Sequence, residues 1–180
     1  MWLAILKKYW RVTTFRETPA NTPYSLLILL LAILIYFLIV TLQWELMDLK
    51  NQFPLSDTML AAILLVVSYY AYTALLLAAT GKSNRILQTL TSLLVCHLII
   101  LMVGFIIVFL TPMLAKADMT QVGMRLLVMI YLLKVLVLTL WQFSVAAHIY
   151  RQALDSDYLT AILASFGLLA ANILTMSFLR

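Results

Sequence analysis

The run YSLLILLLAILIYFLIVTLQW, residues 24–44, contains no charged side chain. As a helix it is roughly 30 Å long, the thickness of a bilayer's hydrocarbon layer. A helix that is apolar on every side has no face to give to water, and in lipid it satisfies its own backbone hydrogen bonds. Four more stretches read the same way, at about residues 58–79, 86–110, 122–147 and 158–179. The expected fold is all-α: a polytopic membrane bundle of five transmembrane helices preceded by an amphipathic interfacial helix. Residues 1–18 form that first helix and residues 19–180 the five-helix domain.

Composition supports the reading. Of the 180 residues, 65% are hydrophobic and 11% charged, with a mean hydropathy of +1.06, against about 25% charged in ordinary soluble domains. The net charge of +5 suggests no nucleic acid, because the cations cluster at the ends of apolar spans and form no basic face on a soluble fold. Cys96 is the only cysteine, so an intrachain disulfide is excluded. Met1 to Arg16 interleaves charged and apolar residues, unlike a secretory signal.

That interleaving is helical. Trp2, Leu3, Ile5, Leu6, Tyr9, Trp10 and Thr13 fall on one side, with Lys7, Lys8, Arg11 and Thr14 opposite. A basic helix with tryptophans on its apolar side suits the headgroup plane of an anionic leaflet, and Trp2, Lys7, Lys8, Trp10 and Arg11 are the expected membrane-surface contacts. Packing on the bundle is the alternative. Pro19 and Pro23 are expected to end the segment. Ser56 or Asp57 is a candidate N-cap for the second span, TGKSNR (80–85) reads as a tight basic turn, Thr111-Pro112 stops the third span, and a polar link runs from His148 to Asp157.

Charge asymmetry orients the chain. Lys7, Lys8, Arg11, Arg16, Lys82, Arg85 and Arg151 fall on one side, and Lys50, Lys116, Arg125 and Arg180 on the other. The richer side is expected to be cytoplasmic, which places the N-terminus inside, the C-terminus outside, and the protein in a cell (inner) membrane. In the fifth span Gly167, Ala171 and Thr175 form a small-residue stripe along which another backbone is expected to approach, and the flanking Asn172 offers an interhelical hydrogen bond.

Searches for chemistry return little. Gly81-Lys82-Ser83 lacks the earlier glycine of a phosphate-binding loop, since position 76 is Leu76. There is no zinc-protease His pair, intramembrane carboxylate pair or nucleophile elbow. Cys96 and His97 point about 100° apart on a helix and lack further ligands, so no metal or cofactor is expected. The remaining signal is Lys134, a cation within the fourth span that costs roughly 2.5–3.5 kcal/mol at a bilayer's centre. Counting from the span ends puts His97 and Lys134 at a common depth, 16–18 Å in by roughly 1.5 Å per residue. Tyr131, Lys134, Trp141 and His148 make one stripe, with Gly104 a heptad beyond His97 on the facing helix, and these faces are expected to look inward. Lys134, His97 and Tyr131 are therefore the candidate intramembrane polar site. No acid lies at that depth, leaving Lys134 to bond neutral groups, reach water, lose its proton or meet an acid on another subunit.

The segment Phe15-Arg16-Glu17-Thr18-Pro19, ahead of five spans with the N-terminus in and C-terminus out, resembles the Pro-Arg-Glu-Thr pattern of bacterial members of the Yip1-like membrane protein family. The resemblance implies a five-helix integral membrane scaffold and assigns no catalytic residue. The expected function is that of a non-enzymatic interaction or assembly subunit, binding the lipid bilayer, anionic lipid at the N-terminal helix, and another membrane protein or a second copy of itself. A small oligomeric transporter or channel component using the Lys/His site is the alternative, and a lipid-modifying membrane enzyme is a third reading.

Overall fold

The computed structural model describes residues 2–47, 54–111, 114 and 120–178. Within them every regular element is helical: α1 (Trp2–Thr13), α2 (Leu26–Met47), α3 (Leu55–Ala79), α4 (Ile86–Val108), α5 (Val122–Leu154) and α6 (Tyr158–Ser177), with short 3-10 turns at Pro19–Asn21 and Ser83–Arg85. The last five are long and apolar enough to cross a membrane, and the protein is a multi-pass membrane protein. Lys50, Lys116, Arg180 and the Pro112 stop lie outside the described residues.

The five long helices close into a ring in the order α2, α3, α6, α5, α4, with α3 also touching α4 across the middle. One end of the bundle, here the near face, carries the 80–85 and 155–157 turns; the opposite end is the far face. The near half of α4 is buried on almost every side, from Thr89 through Cys96, because α1 covers its outer flank. Its buried polar side chains find local partners: Thr89 and Thr91 donate to the Arg85 and Leu87 carbonyls, and Ser92 Oγ pairs with Thr22 Oγ1 at 3.2 Å.

Several boundaries differ from the sequence reading. The first helix stops at Thr13, short of Pro19: Arg16 N–H donates to the Arg11 carbonyl at 2.8 Å and Phe15 takes φ +59°, a left-handed turn that ends the helix locally. α3 begins at Leu55 after Pro54, so Ser56 and Asp57 sit in its first turn and neither caps it. The largest difference is in α5, which runs 33 residues to Leu154, where the sequence suggests a polar link from His148. Its extra turns stay helical because Ile149, Tyr150, Ala153 and Leu154 are buried, and Tyr150 Oη pairs with Thr73 Oγ1 at 2.8 Å.

The near-face turns lock together. Gly81 adopts φ +71°, where a Cβ would be strained, and turns the chain so that Lys82 and Arg85 both reach Asp155, at 2.6 and 2.8 Å. Arg85 also donates to the Gln152 and Ala153 carbonyls at the end of α5, where helix carbonyls lack partners. Arg85 first, then Lys82, holds the Asp155 carboxyl down to about 2. Asp157 caps α6 by accepting from Thr160 N–H at 3.2 Å.

The stripe on α6 meets α3: Tyr72 of α3 lies over Gly167, and its hydroxyl donates to the Ala164 carbonyl at 2.7 Å. Further along the stripe, Thr175 bonds back to Ala171 within α6 at 2.8 Å.

Candidate functional site

His97 projects from mid-α4 into a polar cluster assembled from four helices. The Tyr69 hydroxyl (α3) bonds His97 Nδ1, and the Gln142 amide (α5) lies 2.5 Å from His97 Nε2 and 3.5 Å from Tyr69 Oη. Asn172 (α6) adjoins the Tyr69 hydroxyl, and its Oδ1 is buried with no partner. Tyr36 (α2) is 2% exposed and packs edge-on against both rings, at 5.4 Å from His97 and 6.1 Å from Tyr69. Polar groups gather here because an unpaired one in lipid costs several kcal/mol, roughly, so each must find another. A cavity of about 220 Å³ lies beside the cluster, between α3, α4, α5 and α6.

Lys134 is elsewhere. Expected at the depth of His97 and facing inward, it is exposed on the outside of α5, and among the described residues no hydrogen bond or ion pair reaches it. The register of α4 against α5 explains the depth. A Cβ on Gly104 would meet Leu138 Cδ1 at 3.1 Å, and Tyr131 Oη bonds Thr111 Oγ1 at 3.0 Å. Continuing that antiparallel register sets Lys134 level with Val108, the last residue of α4, and Gln142 level with Ile100, from where its side chain reaches His97. The two positions on α5 are eight residues, about 12 Å, apart. Counting inward from the start of α5 misplaced Lys134 because this helix, roughly 50 Å long, overshoots α4 at the far face. Tyr131 therefore belongs to the far end of the α4–α5 contact and takes no part in the His97 cluster.

The heptad stripe is present, with another meaning. The indole of Trp141 donates to the Thr13 carbonyl at 2.7 Å and stacks edge-on with Trp10 at 6.2 Å; His148 lies 3.2 Å from the Glu17 carbonyl and packs on Phe15. On α4, the Cys96 thiol points at the Tyr9 carbonyl, 3.9 Å away. α1 thus packs on α4, and its Tyr9, Trp10 and Thr13 meet the two helices at Cys96 and Trp141. One heptad along from these two positions, Val103 is 44% exposed and Lys134 is exposed.

α1 accordingly divides its apolar residues. Tyr9, Val12 and Thr13 are buried on the bundle, and the Tyr9 hydroxyl, its pKa pushed up to about 12 by burial, donates to the Pro23 carbonyl at 2.7 Å. Trp2, Leu3, Leu6 and Trp10 remain exposed, as do Lys7, Lys8 and Arg11. The helix packs on the bundle, as the second of the sequence alternatives has it, and keeps an exposed basic and aromatic side.

Gln142, Tyr69 and Tyr36 were missed at the sequence level. Single uncharged polar residues in apolar runs are ordinary, and only the neighbouring levels of Gln142 and His97 could have singled them out. No protein-family model, curated protein or solved structure matches the chain.

Proposed function

We propose that the protein is a non-enzymatic assembly subunit of a membrane complex, and that a partner transmembrane helix lies on the exposed far half of α5 with an acidic side chain against Lys134. The observation that carries this reading is the heptad stripe of α5, covered by α1 at Trp141 and bare at Lys134. Lys134 supplies the selectivity, because a cation on an apolar wall favours a carboxylate over neutral side chains. Glu45, an acid on the far-face end of α2, accepts from Thr58 Oγ1 at 2.8 Å.

Five spans joined by short turns favour partners within the bilayer over soluble ones. The exposed Trp2, Lys7, Lys8, Trp10 and Arg11 add a basic contact to anionic lipid at the near face, which the proposal takes as cytoplasmic. Kinship with the Yip1-like family belongs to the same proposal and rests on Phe15 to Pro19 and the five-span plan. The transport alternative loses the pairing it relied on, since Lys134 lines neither of the cavities that border the His97 cluster.

The test is energy transfer in vesicles between the labelled full chain and a synthetic polyleucine transmembrane peptide carrying one aspartate in its outer third. The aspartate peptide is expected to associate about ten-fold more tightly than its all-leucine parent, the equivalent of the 1–2 kcal/mol of an intramembrane polar contact. Lys134→Leu should abolish the difference and Lys134→Arg should keep it. Equal association of the two peptides, or no response to Lys134→Leu, overturns the proposal.

A further inference from the structure

The cavity beside His97 has its polar end inside the bundle and its apolar end toward the bilayer. Its inner wall carries the Tyr69 hydroxyl, the Gln142 and Asn172 amides, and His97; its outer wall is formed by Leu140, Phe143, Phe166 and Leu169. Leu140 and Phe166 are 55% and 54% exposed on the outside of α5 and α6, so the mouth opens sideways between these helices, toward acyl chains and away from either face. The Phe143 and Phe166 rings, 4.7 Å apart, stand together at that mouth. The Asn172 Oδ1 is buried without a partner, although a polar atom in that position needs one.

We infer that this cavity is a binding site for a neutral single-chain lipid bearing a hydroxyl headgroup, entering between α5 and α6, with the hydroxyl bonded to Asn172 and the chain leaving past Phe143 and Phe166. The proposal is independent of the stripe at Lys134. Charge argues for a neutral headgroup: the cavity wall holds no lysine, arginine, aspartate or glutamate, so an ionised group would lose its hydration without a counterion. A hydroxyl is favoured over a carbonyl because it both donates and accepts. It satisfies Asn172 whichever way the amide is turned. At about 220 Å³ the cavity takes a headgroup and the first methylenes, and the remaining chain has the bilayer to lie in. A water molecule could meet the polar atoms alone, but it would leave the lateral apolar mouth without a role.

The experiment uses the full chain in lipid nanodiscs and two photoreactive probes, a sixteen-carbon alcohol with a diazirine near its headgroup and the corresponding alkane without the hydroxyl. The alcohol is expected to label Phe143, Phe166 and Leu169 saturably, and excess unlabelled hexadecanol should compete. The alkane should label exposed α5 and α6 positions without saturation. Asn172→Leu should weaken the alcohol's competition about ten-fold, the equivalent of one buried hydrogen bond. Should that variant fail to fold, Leu140→Trp, on a lipid-facing position, narrows the mouth and should give the same loss. Labelling by the alcohol that is not competed, or that matches the alkane site for site, overturns the proposal, as does undiminished competition in a folded variant. A cavity occupied by water alone gives the first of these results.

Discussion

The two parts of α5, Val122–Ser144 and Val145–Leu154, differ sharply in their surroundings. From Val145 to Leu154 the helix packs among α4, α6 and the Pro19–Asn21 turn and bonds Thr73 of α3, with Tyr150 fully enclosed and Ile149 1% exposed. From Val122 to Ser144 no residue is buried, and Leu132, Leu133, Leu136 and Val137 each stand more than half exposed. In water such a difference would mark a core and a surface. In a bilayer lipid solvates the bare leucines as well as protein does, so exposure carries no hydrophobic penalty and packing and polar contacts decide what is held. Gln142 stands close to the boundary between the halves. Toward the near face polar side chains find protein partners, and beyond it Lys134 finds none among the described residues.

The sharpest way to break this comparison is to empty the enclosed half. Tyr150→Ala removes a side chain with no exposed surface and strands the Thr73 hydroxyl, 2.8 Å away. By analogy with large aromatic truncations it should cost about 3–5 kcal/mol, read from unfolding by sodium dodecyl sulfate in mixed micelles. Leu133→Ala, on the bare half and 60% exposed, should change the same measurement by about 0.5 kcal/mol or less. Similar losses for both would mean that the far half of α5 is packed against something the single chain does not contain.

At the boundary itself, Gln142→Leu takes one partner from His97 and one from Tyr69. The expected cost is about 1 kcal/mol, within the range of intramembrane hydrogen bonds, whose average is near 0.6. A gain in stability would show that the amide is retained for a ligand and adds nothing to the fold.

The near end of α5 is sealed by charge as well as by packing, and there pH is the probe. Arg85 and Lys82 lower the Asp155 carboxyl from 3.8 to about 2. A depressed folded pKa stabilises above the unfolded value, so this contribution is complete above pH 3.8, declines as the pH falls and is lost below about 2. The pairs are well exposed, so the effect should be small and weakened by salt. Asp155→Asn should remove the part of the acid sensitivity that lies in this window, measured as hydrogen exchange of the 80–85 turn between pH 5 and 2.

How much of this was legible from residues follows the same division. Four of the five spans lie within three residues of their expected bounds, because a bilayer imposes one length and one composition on whatever crosses it. The extension of α5 to Leu154 was hidden by His148 and Arg151, which read as a polar link; in the fold His148 reaches the chain after α1 and Arg151 stacks over Tyr158 at 3.7 Å. The stripe through Lys134, Trp141 and His148 was visible as a heptad, but its partner was not. Periodicity shows that residues share a face and not what covers it, so α1, read as a helix for the membrane surface, could not be recognised as the element that covers the stripe at Trp141. Depth was misjudged for a related reason: counting from helix ends assumes that the ends are level, and a helix longer than its neighbours breaks that assumption.

The smallest expected effect is at Lys134, where the comparison is most exposed to failure. Level with the end of α4 and facing outward, a lysine there is able to bend its ammonium toward the far-face headgroups along its own methylene stem. Its cost to the isolated chain is then far less than the roughly 2.5–3.5 kcal/mol of a cation at mid-bilayer. Lys134→Leu should leave the unfolding free energy within about 0.5 kcal/mol of the parent, or raise it, because no partner is stranded and an apolar side chain suits the surroundings. A rise near 3 kcal/mol would place the ammonium deep in hydrocarbon and contradict the register set by Gly104 with Leu138 and Thr111 with Tyr131. A fall of more than about 1 kcal/mol, the scale of a lost charged hydrogen bond, would mean that Lys134 holds the far half of α5 to its own bundle. The two halves would then differ only in which contacts fix them, and the bare stripe would no longer need a partner.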